Sequence, residues 1–281
     1  MFLGYNTNGL AHHDPFQAIL LLADAGYRGV ALTLDHGPLD PFASDWAEQL
    51  TRLRTRLRQL ELRSVVETGA RFLLDPWAKH EPTLVTTDAQ AAQRRIDFLC
   101  RAIDTAAFLG SDCVSLWSGV VRDGAGSEEL WERLTDRLST VIEHAKERQV
   151  TIGFEPEPGM FIDTMEKFAE LCRRCPSPQL KLTLDVGHLH CQGEVPIAER
   201  IAGWGPEIVN VHIEDMRRGI HEHLMFGEGE MDFPPIVAAL AEADYRGGIY
   251  VELSRHSHDA PTAVQKAYDF LHPLVNAYAD G

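Results

Sequence analysis

The stretch TIGFEPEPGMFIDTMEKFAELCRRCPSPQLKLTLDVGH (151–188) contains one full repeat of the pattern that decides the fold. A short apolar run at 151–155 is followed by an amphipathic run at 165–172 and a second apolar run at 181–185. Short runs rich in β-branched and aromatic residues are typical of strands, and apolar residues at helical spacing are typical of helices. The stretch therefore predicts strand, helix and strand, the unit of parallel α/β folds.

The same alternation continues in both directions along the chain. Eight runs predict strands, at 2–5, 29–34, 63–67, 113–117, 151–155, 181–185, 208–213 and 248–253. Helical patterns are found at 14–25, 45–60, 87–109, 128–148, 165–172, 197–202, 234–243 and 261–278. Eight βα units without a break in composition predict an α/β fold, a single (β/α)8 TIM barrel domain over residues 1–281. The alternative is a doubly wound sheet, but Asn6-Thr7-Asn8-Gly9 after the first strand is not a dinucleotide-binding glycine pattern.

Composition excludes several classes of function. The 281 residues include 26 Lys+Arg and 42 Asp+Glu, a formal net charge of −16 at pH 7. Sequence-independent binding to nucleic acid or an anionic membrane needs clustered basic residues, so we expect neither partner. No apolar run approaches the roughly 18 residues of a membrane helix, and we expect no signal peptide. Five cysteines, an odd number, indicate a reducing compartment and a cytoplasmic location.

One predicted loop, at 68–86, is much longer than the others. It follows the third predicted strand and contains Arg71, Asp75, Trp77, Lys79 and His80. In a barrel this loop would lie over the mouth formed by the carboxyl ends of the strands, where long loops are usually functional. A surface excursion without a function is the alternative.

Polar residues end four consecutive predicted strands, at the face where a barrel places its active site. They are Glu155, Asp185, His212 and Glu252, at spacings of 30, 27 and 40 residues. Three carboxylates brought together would repel one another and raise their own pKa values, and a divalent cation relieves that repulsion. The donor set suits Mn²⁺, Mg²⁺, Co²⁺ or Zn²⁺. The sequence therefore predicts a site for a divalent metal formed by these four residues.

Further candidates lie close to these strand ends. His188 follows Asp185 by three residues, and His221 and His223 point to one side if their segment is extended. These histidines predict either a second metal site or contacts with substrate oxygens, and the residues leave the two open.

Two more candidates end the third and fourth predicted strands. We expect Glu67 to contact substrate or metal, because a carboxylate at the mouth needs a partner. Trp117 either stacks on a sugar as a substrate-binding residue or caps the core of the barrel.

The motifs DVGH (185–188), VHIED (211–215) and FGEGEMDF (226–233) resemble the xylose isomerase-like barrel superfamily across essentially the whole chain. Its sugar phosphate isomerase/epimerase members are the most similar. In the ketose 3-epimerases of this group, one Mn²⁺, Mg²⁺ or Co²⁺ is held by residues that match Glu155, Asp185, His212 and Glu252. The resemblance implies that the first and last of these are also the acid/base pair.

The resemblance carries further expectations and some departures. It implies that His188 and Arg218 contact substrate oxygens, and that the protein forms a homo-oligomer, since family members are often dimers or tetramers. Apurinic endonucleases of the superfamily hold three zinc ions, but this chain has His221 where they have Asp, and their two histidines on strands 3 and 4 are absent. A one- or two-metal site stays open. Glu157 stands where aldose isomerases carry Lys.

These residues predict a metal-dependent enzyme, an isomerase or epimerase of a sugar, sugar phosphate or sugar-like polyol. Glu155 or Glu252 would remove the proton next to a carbonyl, the metal would stabilise the enediolate, and the other carboxylate would return a proton. Epimerisation, isomerisation and dehydration by a dehydratase remain open. Two other classes also remain. They are a two-metal phosphoester hydrolase that uses the three further histidines, and a non-catalytic sugar-binding barrel.

Overall fold

The computed structural model describes residues 1–278, and eight parallel strands form a closed barrel. In chain order they are β1 (Phe2–Asn6), β2 (Gly29–Thr33), β3 (Arg63–Glu67), β4 (Val114–Leu116), β5 (Ile152–Phe154), β6 (Leu180–Asp185), β7 (Ile208–Ile213) and β10 (Gly248–Val251). Hydrogen bonds join them in the order β1-β10-β7-β6-β5-β4-β3-β2. The TIM barrel prediction is confirmed. The extent of the domain, 1–281, stays a prediction, and its last three positions lie outside the described residues.

Helices surround the barrel on the outside. They are α1 (Pro15–Asp24), α2 (Trp46–Gln59), α3 (Ala89–Leu109), α4 (Ser127–Arg148), α5 (Met165–Arg174), α6 (Val186–Gln192), α7 (Ile197–Trp204), α8 (Phe233–Glu242) and α9 (Ala260–Asn276). Asp14 caps α1 by accepting hydrogen bonds from the backbone of Phe16 and Gln17, and Pro15 begins the helix. Within residues 1–278, none of the helices has the length and apolar character needed to cross a membrane.

Two parts of the structure differ from the eight predicted units. An antiparallel hairpin of β8 (Asp215–Arg217) and β9 (Ile220–Leu224) lies between β7 and α8. The short helix α6 starts directly after β6, because the Asp185 side chain accepts a hydrogen bond from the backbone N–H of His188. Both are too short for a helical or alternating pattern to stand out in the sequence.

The strands and the inner faces of the helices bury a large apolar core. Phe98, Phe154 and Phe168 are among its fully buried side chains. The Tyr250 ring occupies space left by two glycines, because a Cβ at Gly4 or Gly248 would collide with it. This packed interior fixes the strand ends that face the mouth of the barrel. As predicted, residues 68–86 form a long segment without helix or strand between β3 and α3.

Candidate metal centre

Four neighbouring strands bring four side chains to one point at the mouth. Asp185 is the last residue of β6 and pairs in register with His212 of β7. Glu155 and Glu252 each follow the last residue of their strands, β5 and β10. One ligand atom from each of the four side chains lies within 4.8 Å of the others. The structure thus brings together all four residues predicted as metal ligands.

The imidazole of His212 lies at the centre of this cluster. Its Nδ1 is 3.0 Å from Glu155 Oε1 and 2.9 Å from Glu252 Oε2, and its Nε2 is 2.9 Å from Glu67 Oε1. Burial by itself would lower the pKa of His212, but the three carboxylates outweigh it and hold the pKa well above its ordinary value. The raised pKa favours the protonated form of this imidazole among the carboxylates.

The carboxylates respond differently to the same surroundings. Burial raises the pKa of Glu155 to about 8, although His212 opposes the shift. Burial would also raise the pKa of Asp185, but the imidazoles of His188 and His212 outweigh it and lower that pKa. Glu252 has a lowered pKa, because His212 and its hydrogen bond outweigh burial.

One oxygen in the cluster points to a cation. Asp185 Oδ1 accepts a hydrogen bond from the backbone of His188 at 2.8 Å, but Oδ2 is buried and has no hydrogen-bond partner among the described residues. A buried carboxylate oxygen without a partner is costly. Three carboxylates and one imidazole are a suitable donor set for a divalent metal, so the residues present fit such an ion.

Three further histidines form a second cluster beside the first. Nitrogen atoms of His188, His221 and His223 lie within 4.8 Å of one another, and His188 Nε2 is 3.0 Å from His221 Nε2. Strand β9 is the extended segment predicted for His221 and His223. Burial lowers the pKa of His188 to about 4, which favours the neutral ligand form. Burial by itself would lower the pKa of His223, but the nearby carboxylate of Glu214 outweighs it and raises that pKa to about 10.

Sequence reasoning missed two acidic residues of this region. Glu214 is fully buried, neither carboxylate oxygen has a hydrogen-bond partner among residues 1–278, and Oε2 lies 3.8 Å from His223 Nδ1. Glu157, noted only for replacing Lys, offers an oxygen within 4.8 Å of ligand atoms of Glu155 and His188. Each acid lies two residues after a candidate ligand, so the alternation of an extended chain was the signal that could have found them.

The cluster borders a cavity of about 590 Å³ at the mouth of the barrel, although Asp185 and His188 are not part of its lining. Predicted site residues that line it are Glu67, Trp117, Glu155, His212, His221, His223 and Glu252. Glu67 also accepts a hydrogen bond from Asn210 at 3.2 Å, so it holds the far nitrogen of His212 in place. Arg218 lies outside this lining. It is exposed in the turn between β8 and β9, and its backbone N–H donates to Glu230, so its predicted contact with substrate gains no support.

The barrel and the buried carboxylate–histidine cluster at its mouth define the class of TIM barrels with a candidate metal site at the carboxyl ends of the strands. The sequence model of the family described as "Xylose isomerase-like TIM barrel" matches residues 19–274, and the chain belongs to this family.

Individual relatives are more distant. The chain is 27% identical over 246 residues to "L-ribulose-5-phosphate 3-epimerase UlaE" of Shigella flexneri serotype 5b. This aligned region covers 86% of each protein. The solved structure of a "D-tagatose 3-epimerase-like protein" matches with a TM-score of 0.80 at 19% identity over 99% of both chains. The solved structure of an "IOLI protein with a binding zinc atom" matches with a TM-score of 0.78 at 20% identity over 100% of both chains. The chain is a distant homologue of ketose 3-epimerases, and the structural matches show the shared fold.

Proposed function

We propose that this protein is a divalent-metal-dependent epimerase or isomerase of a ketose, ketose phosphate or similar polyol. The observation that carries the proposal is the convergence of Glu155, Asp185, His212 and Glu252 within 4.8 Å, with three of the four lining the cavity at the mouth. The similarity to L-ribulose-5-phosphate 3-epimerase and to a D-tagatose 3-epimerase-like protein supports the substrate class.

The four converging side chains would hold the cation, and Mn²⁺, Mg²⁺, Co²⁺ and Zn²⁺ all suit this donor set. When bound, the cation would polarise the substrate carbonyl and lower the energy of negative charge that develops on its oxygen. Asp185 Oδ2, which has no hydrogen-bond partner among the described residues and lies 3.4 Å from His188 Nε2, would gain a positively charged partner.

Proton transfer falls to the two glutamates at the ends of the set. In the barrel, β6 and β7 separate β5 from β10, so Glu155 and Glu252 approach the cavity from different strands. Asn8 Nδ2 donates to Glu252 Oε1 at 2.7 Å and fixes the orientation of that carboxylate. One glutamate would remove the proton next to the carbonyl, and the other would return a proton from its own side.

The expected partner is a small carbohydrate, and the formal net charge of −16 argues against nucleic acid. A homo-oligomer, as implied by the family resemblance, is part of the proposal. The five unpaired cysteines support a cytoplasmic location.

The test is solvent exchange. Protein loaded with Mn²⁺ is incubated in D₂O with L-ribulose 5-phosphate, L-ribulose, D-tagatose and D-allulose, and deuterium next to the carbonyl is measured by NMR. We expect exchange in at least one ketose, with a loss of roughly 10²–10⁴-fold in Glu155→Gln and in Glu252→Gln. The exposed Glu143→Gln is the matched control. Wild-type exchange in both site variants would contradict the assignment, and the product distinguishes epimerisation, isomerisation and dehydration.

A second candidate is a two-metal phosphoester hydrolase. It is favoured by one observation, the convergence of His188, His221 and His223 beside the first cluster. Elemental analysis would then find two zinc ions per chain, and the paired change His221→Ala with His223→Ala would lose one of them. A single ion in both proteins would exclude this candidate.

A further inference from the structure

Arg95 of α3 fastens the long loop at 68–86 to the barrel. The side chain is 2% exposed, and its guanidinium reaches three backbone carbonyls. Nε donates to Pro82 O at 2.6 Å, Nη1 to Thr68 O at 2.9 Å and Nη2 to His80 O at 2.6 Å. A planar fork of donors can bind several acceptors at fixed angles, which an ammonium group cannot do. Arg95 therefore fixes both ends of the loop at once.

The backbone of His80 is held in an unusual conformation. Its φ is +67°, in the left-handed region that residues other than glycine rarely adopt. The backbone N–H donates to Arg71 O at 2.6 Å, and the carbonyl accepts from Arg95. A costly conformation maintained from both sides is often found where a side chain has to be aimed at a ligand.

The ring of His80 has a defined hydrogen-bonding state. Its Nδ1 lies 2.6 Å from Gly69 O, and because a carbonyl can only accept, Nδ1 carries the proton. Burial lowers the pKa of His80 to about 4, so the ring is neutral at neutral pH and Nε2 has a free lone pair. His80 is partly exposed and lines the cavity of about 590 Å³ described above, and the hydrogen bond found for its ring among residues 1–278 is that of Nδ1. Since Nδ1 is turned toward Gly69, we place Nε2 on the side of the ring that faces the cavity.

Trp117 extends the same wall of the cavity. Its ring meets the His80 ring edge-on, with 5.7 Å between centroids, and the Arg95 guanidinium lies 4.9 Å from its centre. Trp117 also lines the cavity that contains Glu155 and Glu252. An aromatic body next to a hydrogen-bond acceptor matches the two kinds of surface that a polyol presents, C–H groups and hydroxyls.

We propose that His80 adds a polyol-binding subsite beside Trp117, in which His80 Nε2 accepts a hydrogen bond from a ligand hydroxyl. Trp117 packs against the carbon skeleton of the ligand. Arg95 does not touch the ligand and is a positioning residue, since it acts by holding the loop that aims His80. The choice of a polyol rests on the proposed function, whereas the subsite itself rests on the loop geometry.

The first experiment compares wild type with His80→Phe, which keeps an aromatic ring beside Trp117 but lacks the acceptor. Binding of ribitol, a polyol without a carbonyl, is measured by calorimetry, and KM and kcat are measured for whichever ketose exchanges deuterium. We expect roughly tenfold weaker ribitol binding and a roughly tenfold higher KM, with kcat within about twofold. His13→Phe, in a neighbouring cavity, is the matched control and should leave these values unchanged.

The outcomes separate the subsite from the reaction. Ribitol binding that depends on His80, without proton exchange in any ketose, supports the subsite and contradicts the proposed function. Equal binding by wild type and His80→Phe overturns the subsite, as does a wild type that binds neither ribitol nor any ketose.

The second experiment tests the role of Arg95. Arg95→Lys keeps the charge but loses the fork, and we expect weaker ribitol binding similar to that of His80→Phe. The double variant Arg95→Lys with His80→Phe should bind ribitol about as tightly as His80→Phe alone, because Arg95 acts through His80. Additive losses would overturn the positioning role. Far-UV circular dichroism of each variant distinguishes this result from loss of the fold.

Discussion

The two sides of the barrel mouth differ in how their polar groups are hydrogen-bonded. One side is formed by β5, β6, β7 and β10, and the other by β1 to β4. On the first side, two carboxylates contact a single imidazole nitrogen of His212, and Asp185 Oδ2 has no hydrogen-bond partner among the described residues. On the second, Asn6 Oδ1 accepts from Thr33 Oγ1 at 2.8 Å, and Thr68 Oγ1 donates to Ser115 O at 2.7 Å.

The difference teaches how one fold combines a reactive centre with a binding wall. On the side from β1 to β4, Arg95 holds the loop at 68–86 through three hydrogen bonds to backbone carbonyls. The cluster side has more negative than positive groups in a buried place, so it gains most from an added cation. Perturbing the two sides should therefore have different consequences.

The largest effect is expected for His212→Leu in metal-free protein. Removing the imidazole leaves Glu67, Glu155 and Glu252 without their positive neighbour, and such a loss in a buried ion pair costs about 3–5 kcal/mol of unfolding free energy. Urea unfolding in the presence of a chelator measures it. His144→Leu, which breaks a half-exposed contact with Asp104, is the control and should cost under about 1 kcal/mol. Equal losses of unfolding free energy in His212→Leu and His144→Leu would contradict the special role of His212 in the cluster.

Arg95→Met should cost about 3 kcal/mol, because three carbonyls lose a charged donor and part of the loop becomes unsatisfied. Arg101→Met on the same helix loses a single bond, to Pro41 O, and should cost about 1 kcal/mol. Urea unfolding gives the energies, and limited proteolysis locates the change. If cleavage at 68–86 is no faster in Arg95→Met than in Arg101→Met, the loop does not depend on the hydrogen bonds of Arg95.

Adding a divalent cation should stabilise the protein through the cluster side alone. At a Mn²⁺ concentration about one hundred times its Kd, the unfolding free energy should rise by about 2.7 kcal/mol. Asp185→Asn should abolish most of this gain, whereas His80→Phe should retain it. A wild-type melting temperature that does not respond to any of the four cations would contradict a metal site.

The smallest effect tests how closely the cluster side is packed. A Cβ at Gly187 would collide with Glu214 Oε1 and lie 2.8 Å from Met216 Cε, so Gly187→Ala should cost about 1–3 kcal/mol. Gly203→Ala in α7 meets open space and should instead be neutral or stabilise the helix by about 0.5–1 kcal/mol. Thermal unfolding of the two variants compares them directly, and a neutral Gly187→Ala would show that Glu214 is free to move.

The barrel and the four-residue cluster could be predicted because both depend on repetition. Parallel strands present their carboxyl ends at one face, so residues such as Glu155 and Asp185 are recognised by position alone. The hydrogen bonds of Arg95 to the loop at 68–86 have no repeating sequence signal, because an arginine in an amphipathic helix usually faces water. Whether it instead enters a loop depends on contacts between residues 13 to 27 positions apart. Glu214 was overlooked because the predicted strand ended one residue before it.

The hairpin of β8 and β9 has a consequence for engineering. Its ladder joins the two strands to each other, while the barrel strands pair among themselves. Asp215 has to be kept in any redesign, since its carboxylate accepts hydrogen bonds from the backbone N–H groups of Gly227, Gly229 and Met231. The hairpin also contacts the cluster, since Met216 lies against Gly187 and His223 Nδ1 donates to Glu252 O at 3.1 Å. New ligand sets grafted at His221 and His223 therefore have to keep these contacts, while the strands that carry Glu155 and Asp185 stay unchanged.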